Sequence, residues 1–539
     1  MIIDTMKTKK GLLGIVLILS FAFYFISCDI TSPQKNIDVI FNTQSISTNA
    51  SVSFVDAATN SPIGSSSQTV PVNLSFTGPN ANKIVTSLDE PLTSTSTSNG
   101  IITFGVSSSV TPTNANPVLV TLIASSNGYQ TASLPISISS IGSTSYTINM
   151  VKISSPPQGS STAPSTPVQT NSGGQTTSAV TVKTGNEPTS GGSAGLTINT
   201  GTGITDASGN SLTGSLTANI TYTSGTNAST GGTMPTGLSV SVSQGGTTSQ
   251  GYLQPAAVAS FTITNQNGQL AKNFSTPVTL TMSIPGSTIN QLTNVAVKNG
   301  DTVPIYSYDE STQTWKFEVN STAAGPDASG NFTLSFPASH LSFWLSGWIL
   351  SGGKVCTNNI TINITGSYSA LSLKLKYSGQ TILAQNVSGN QNSLTYKNLT
   401  LPKGVPVTIE AYSLLECPAT LVGSTTIPDL CSTNTINLNV ATPGTVDVNV
   451  DVTAECPHKD PVMKIRPSGY DIFVLSPCGN VDLGTLNNGQ ITLHGLKLNA
   501  TYTFGVVYQN ELYTHDYTVT GTSYSTTYEI SDEVCNRDF

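Results

Sequence analysis

The sequence predicts an all-β chain of tandem antiparallel β-sandwich modules behind a short leader. Three observations carry that expectation. Only 9% of the 539 residues are charged, against roughly 25% in an average soluble protein, and Ser, Thr, Asn and Gly fill the difference. Apolar and polar residues alternate at period two in many segments, as half-buried strands require, and β-branched Thr suits a pleated surface. Neither heptads nor a long amphipathic helical pattern interrupts them. At this length one core is not enough, and about three to five domains are expected.

The leader comes first. Lys7, Lys9 and Lys10 precede an apolar run, Gly11 to Phe25, which leads into Phe25-Ile26-Ser27-Cys28. The run is shorter than the ~20 residues that span a bilayer. Basic residues, apolar core, small residue and Cys in this register resemble a bacterial lipoprotein signal peptide, with Phe25 where Leu is usual. The resemblance implies removal of residues 1–27, a diacylglycerol thioether on the Cys28 sulfur and an acyl chain such as palmitate on its amine. It also implies a lipid anchor in the bacterial cell envelope, at the outer membrane or cell surface. Several acyl chains hold firmly, because each buried methylene contributes about 0.8 kcal/mol. Losing Asp4 and the three lysines takes the net charge from −8 to −10. Residues 28–36 contain Thr, Ser, Pro and Gln and read as a tether.

Residues 37–152 alternate around Val52 and Phe54, then in Ile101 to Val106, Val118 to Ala124 and Leu134 to Ile138. Asn99-Gly100 and Asn127-Gly128 are turn dipeptides that join strands. This order of strands and Asp-rich and Asn-Gly turns resembles the carboxypeptidase regulatory, or transthyretin-like, sandwich, which implies a spacer or binding module. Residues 153–177 are Pro, Ser, Thr, Gly and Gln with almost no large apolar side chains. Such a segment buries too little to offset its ordering entropy, and a flexible linker is expected.

Residues 178–350 form the central module. Asp206-Ala-Ser-Gly-Asn210 recurs as Asp327-Ala-Ser-Gly-Asn331. Neither copy has the spaced carboxylates of a calcium loop, and both read as turns. All three tryptophans lie near the end of this module, at Trp315, Trp344 and Trp348, with Trp315 and Trp344 expected in or at the rim of its core. Val303-Pro-Ile-Tyr306-x-Tyr308-Asp309-Glu310, Trp315 and then Ser339-His340-Leu341-Ser342-Phe343-Trp344 are similar to the β-sandwich shared by ankyrins and netrin receptors, the ZU-five module. In some members a His-Phe-Ser ending is a self-cleavage site, so the resemblance marks Leu341–Ser342 as one candidate bond. Ser342 would attack the Leu341 carbonyl, with His340 as base, across a strained peptide. On a strand, residues i and i+2 share a face. The plainer expectation makes His340 and Ser342 polar strand positions whose neighbours Leu341 and Phe343 face the core.

Residues 351–453 alternate at Ile360, Ile362 and Ile364, at Leu371, Leu373 and Leu375, and at Val446 to Val452, and form a third sandwich. In residues 454–539 the run Gly495-Leu496 to Val506 resembles the late strands of a fibronectin type III domain, a fourth, immunoglobulin-like sandwich. Six cysteines cluster here: Cys356, Cys417, Cys431, Cys456, Cys478 and Cys535. An even, clustered set behind an export leader suggests disulfides in an oxidising compartment. Six cysteines allow fifteen pairings, with Cys417–Cys431 the best local guess.

Other chemistry has less support. His458 and His494 lack metal ligands at sequence spacing, so no metal or cofactor is expected. No Gly-rich loop opens a helix, and no basic patch is interleaved with aromatics, which makes nucleic acid an unsuitable partner. Tyr508, Tyr513 and Tyr517, beside His515-Asp516, read as exposed aromatics of a sandwich. The expected function is therefore a non-enzymatic, lipid-anchored surface protein that extends from the envelope and acts in structure, adhesion or ligand display. Two alternatives stand beside it: a self-processing surface protein, and a carbohydrate-binding accessory lipoprotein using the tyrosines of the last module. The partners implied are the membrane, through the lipid, and a protein or glycan ligand.

Overall fold

The computed structural model describes residues 38–39 and 46–538, apart from 64–69, 98–99, 114, 226–233, 236, 267–268, 291, 378, 390, 460–461, 478 and 509–510. The leader, the tether with Cys28, and Cys478 lie outside the described residues. The chain is all-β, with multiple antiparallel sheets stacked as tandem sandwiches.

Three of the four modules repeat one strand order. The first is built from Thr48–Asp56, Val72–Thr77, Ser94–Thr97, Ile101–Val106, Val118–Ser126, Ala132–Ile138 and Gly142–Met150. Its fourth, first and seventh strands form one sheet, and its third, second, fifth and sixth form the other. The first and seventh strands run parallel, and the other neighbours run antiparallel. The third module repeats this with Val355–Thr365, Ala370–Tyr377, Gln380–Ser388, Ser393–Pro402, Val407–Ser413, Thr420–Ile427 and Thr435–Asn439. The last repeats it with Thr445–Cys456, Asp471–Ser476, Gly479–Thr485, Gln490–Lys497, Thr501–Tyr508, Glu511–Thr518 and Ser523–Glu529.

Two expectations are corrected by this pairing. The strand carrying Val446, Val448, Val450 and Val452 pairs with Gln490–Lys497 and Ser523–Glu529, so it opens the last module and the boundary falls before Thr445, not at 453. The first and second strands of each repeat lie in opposite sheets, whereas an immunoglobulin-type sandwich keeps them in one. The fibronectin-like order expected for residues 454–539 is therefore replaced by that of the first module. Met463–Ile465 adds to the last module's sheet, and Asp38–Val39 pairs parallel with it.

The central module is larger, an eight-stranded sheet on a five-stranded one. Its spine is the 18-residue strand Thr247–Thr264. The expected linker 153–177 is also corrected: Ser160–Thr162 and Thr166–Thr170 pair with Gly214–Ser224. Hydroxyl bonding replaces apolar bulk there. Ser160 and Thr223 hydroxyls lie 2.9 Å apart, the Thr170 hydroxyl donates to the Leu212 carbonyl at 2.9 Å, and Ala163 and Val168 reach the core. The twin Asp-Ala-Ser-Gly-Asn turns form as expected. Asp206 Oδ1 accepts the Ser208 and Asn210 N–H groups, and Asp327 Oδ1 those of Ser329 and Asn331.

Trp344 and Trp348 lie in the core between the central sheets. Trp315 lies in a second cluster with Tyr308, Ile360 and Leu373 that continues into the third module. One apolar body thus joins the central and third modules. The first module does not extend away from the rest. The Thr121 hydroxyl donates to the Glu310 carbonyl in the central module at 3.0 Å, and Asn386 of the third donates to Thr147 Oγ1 at 2.9 Å. Against the last module, the Ser53 hydroxyl donates to the Asn480 carbonyl at 3.0 Å.

Candidate functional site

Asn331–His340 and Phe343–Leu350 belong to different sheets of the central module. Leu341 and Ser342 are the crossing between them, and this controls where their side chains point. Phe332, Leu334, Phe336 and Ala338 alternate into the core. The alternation ends at His340, whose backbone sits opposite Asn273 across an irregular register. Leu341 is buried, and its N–H donates to the Lys272 carbonyl at 2.9 Å. The Ser342 carbonyl accepts the Phe261 N–H at 3.3 Å.

The fold brings His340 to Trp344 and Glu318. The imidazole lies over the Trp344 ring, centroids 5.1 Å apart at 34°, and Nε2 is 4.0 Å from Glu318 Oε1. Burial holds its pKa below the ordinary value, with Glu318 opposing. The Ser342 hydroxyl donates to the Tyr308 carbonyl. Its hydrogen is therefore committed to a backbone acceptor rather than to the imidazole. Glu318 in turn accepts from Ser307 at 2.8 Å and faces Lys316 at 3.1 Å. His340 and Ser342 are neighbours in sequence with separate partners in space.

The cysteines resolve in part. Cys356 is bonded to Cys431, with Cα atoms 5.6 Å apart, and Cys456 to Cys535, 5.9 Å apart. The local guess Cys417–Cys431 is overturned. The turn Leu430–Ser432 folds back beside the start of Val355–Thr365, where the Asn358 amide donates to the Leu430 and Cys431 carbonyls, so a partner 75 residues away is closer than one in the same loop. Cys417 is also disulfide-bonded.

One cluster escaped the sequence, and a second was legible only in part. At the contact of the first and last modules, Asp471 is buried and Asp482 half-buried. Asp471 accepts from Ser143 at 3.1 Å and Thr485 at 2.6 Å, and Asp482 from Ser51 at 2.9 Å and the Gly484 N–H at 2.8 Å. Burial raises both carboxyls above their ordinary range, and the Asp482 charge raises Asp471 further. Only their positions on neighbouring strands were legible, since Ser51 and Ser143 lie more than 300 residues away. The second cluster is aromatic. His515 stacks on Tyr524 at 5.7 Å and meets Tyr528 edge-on at 5.7 Å, while Tyr517 and Tyr524 are 4.0 Å apart. Tyr513 and Tyr517, expected to be exposed, are half-buried. His458 and His494 find carboxylates that their spacing did not suggest, Asp532 and Asp447, each at 2.9 Å.

Fold and cross-links define a class, a disulfide-stapled, multi-module β-sandwich protein. Comparison with family models and with curated proteins gives no match. Among solved structures, the Bacillus anthracis TIE protein is similar at a TM-score of 0.12 and 8% identity, over 68% of this chain and 74% of that one. At that score the likeness carries no argument.

Proposed function

We propose that the chain is a lipid-anchored protein of the bacterial cell envelope, at the outer membrane or cell surface, with a structural, adhesive or ligand-display role. The observation that carries this is the pair of disulfides within the two C-terminal modules, behind a leader-like segment, residues 1–27, that precedes Cys28. Cross-links of this kind persist in oxidising compartments, and a lipid on Cys28 would hold the chain there. The commitment of Ser342 to the Tyr308 carbonyl supports an intact Leu341–Ser342 bond, and so a display role over self-processing.

One experiment tests both parts. The envelope fraction is extracted from cells expressing wild type or Cys28→Ala, then run on a denaturing gel. The wild-type chain is expected in the membrane fraction, labelled by palmitate, as a single band near full length, and the variant is expected to be unlabelled. An unlabelled, water-soluble wild type would overturn the anchor. Two bands that meet at Leu341–Ser342 would overturn the non-catalytic role.

A further inference from the structure

In the first and third modules the side chains that the seventh strand buries fully are aliphatic, with Tyr146 of the first partly buried against the same core. They are Ile148 and Met150 in one, and Ile436 and Leu438 in the other. The seventh strand of the last module, Ser523–Glu529, presents Tyr524, Thr526 and Tyr528 at the equivalent inward positions, and all three are half-buried. Between the sheets there is a cavity of about 130 Å³. Its inner wall is aliphatic, with Val452, Ile472 and Leu493. Its outer wall is Tyr513, His515, Tyr524 and Tyr528.

We propose that this space is a binding site for a small, neutral aromatic compound. Size agrees, since dry apolar cavities of ~150 Å³ accept a benzene-sized guest. Ring chemistry agrees too. His515, Tyr524 and Tyr528 already stack or meet edge-on, and their exposed faces and edges complement another offset or perpendicular ring. Charge selects against anions, because the lining residues include no Lys or Arg and a carboxylate buried among them would be unpaired. One polar substituent is accommodated. Tyr524 and His515 Nε2 share a hydrogen bond at the outer wall, and the Tyr528 phenol stays protonated, pushed up to about 12 by burial and then by Tyr524 and Asp516. The site does not depend on the lipid anchor.

The test uses residues 29–539, which retain every described module, with indole as the neutral aromatic probe and hexanoate as an aliphatic anion. Ligand-observed NMR is expected to show saturable indole binding and no hexanoate binding. Thr526→Leu places a larger apolar side chain in the cavity. It should weaken indole by at least about tenfold, or 1.4 kcal/mol, with the melting temperature unchanged or raised, so loss of binding is not loss of fold. Tyr524→Phe should weaken indole less, since it removes only the hydroxyl. No indole binding by wild type, indole binding untouched by Thr526→Leu, or equal binding of hexanoate would each overturn the proposal.

Discussion

In the first module the two sheets close on Phe54, Phe76 and Phe104, all buried, with the Phe76 and Phe104 rings 4.9 Å apart edge to face. In the last module the same strand order closes on tyrosines around a cavity, and a disulfide ties the end of its first strand to the C-terminal helix Asp532–Asp538. One topology is thus held in two ways. The first relies on apolar burial and close packing. The last gives up part of its packing and adds a cross-link that restricts the unfolded chain.

The largest expected effect tests the packed side of this contrast. Phe104→Ala should destabilise the first module by about 3–5 kcal/mol, the usual range for a buried aromatic replaced by Ala. Hydrogen exchange should locate the loss in Thr48–Asp56 and Ile101–Val106, with the strands of the last module protected as before. A loss below about 1 kcal/mol would mean that the ring is not filling the core.

The cross-linked side should respond to Cys456→Ala with Cys535→Ala. The loop closed by this bond is long, with a sequence separation of 79, and removing it should cost about 2–4 kcal/mol. The loss should fall on Thr445–Cys456 and Ser523–Glu529 and spare the first module. If the last module kept its stability, its tyrosines and apolar strands would be sufficient alone, and the contrast would collapse.

The alternation that announces strands is legible in the third module. Ile360, Ile362 and Ile364 are buried as their spacing predicts, and so are Leu371, Leu373 and Leu375. Period two encodes a face, however, and not a partner strand. That is why alternation marks Val446 to Val452 as a strand but does not assign it to the last module, where its partners lie. The segment 153–177 reads as a linker because the strands within it, Ser160–Thr162 and Thr166–Thr170, carry hydroxyls rather than apolar bulk. At Leu341–Ser342 sequence proximity was legible but direction was not, because the chain changes sheets there and the i, i+2 rule holds only within a strand. The aromatic cavity left a faint trace: tyrosines at 513, 517, 524 and 528 recur at even spacing along the last two strands.

The smallest effect lies where the two modules meet. Asp471 and Asp482 of the last module take hydroxyl hydrogens from Ser143 and Ser51 of the first. Both carboxyls have raised folded-state pKa values, by burial first, so the folded chain binds protons more tightly than the unfolded one. Stability from this contact is therefore complete below the ordinary carboxylate range, near 4, and is lost as pH rises through the raised values. Paired carboxylates elsewhere, such as Asp451 with Arg466 and Glu416 with Lys497, have lowered values and give the opposite slope in acid. The pair at the contact consequently dominates above about pH 5. Asp471→Asn keeps the shape and removes one charge. It should leave the melting temperature near pH 5 almost unchanged, raise it at pH 8, and flatten the decline between them. A variant whose melting temperature falls equally at both pH values would show that Asp471 is charged at both and stabilises the contact as a hydrogen-bond acceptor, against a raised folded-state value.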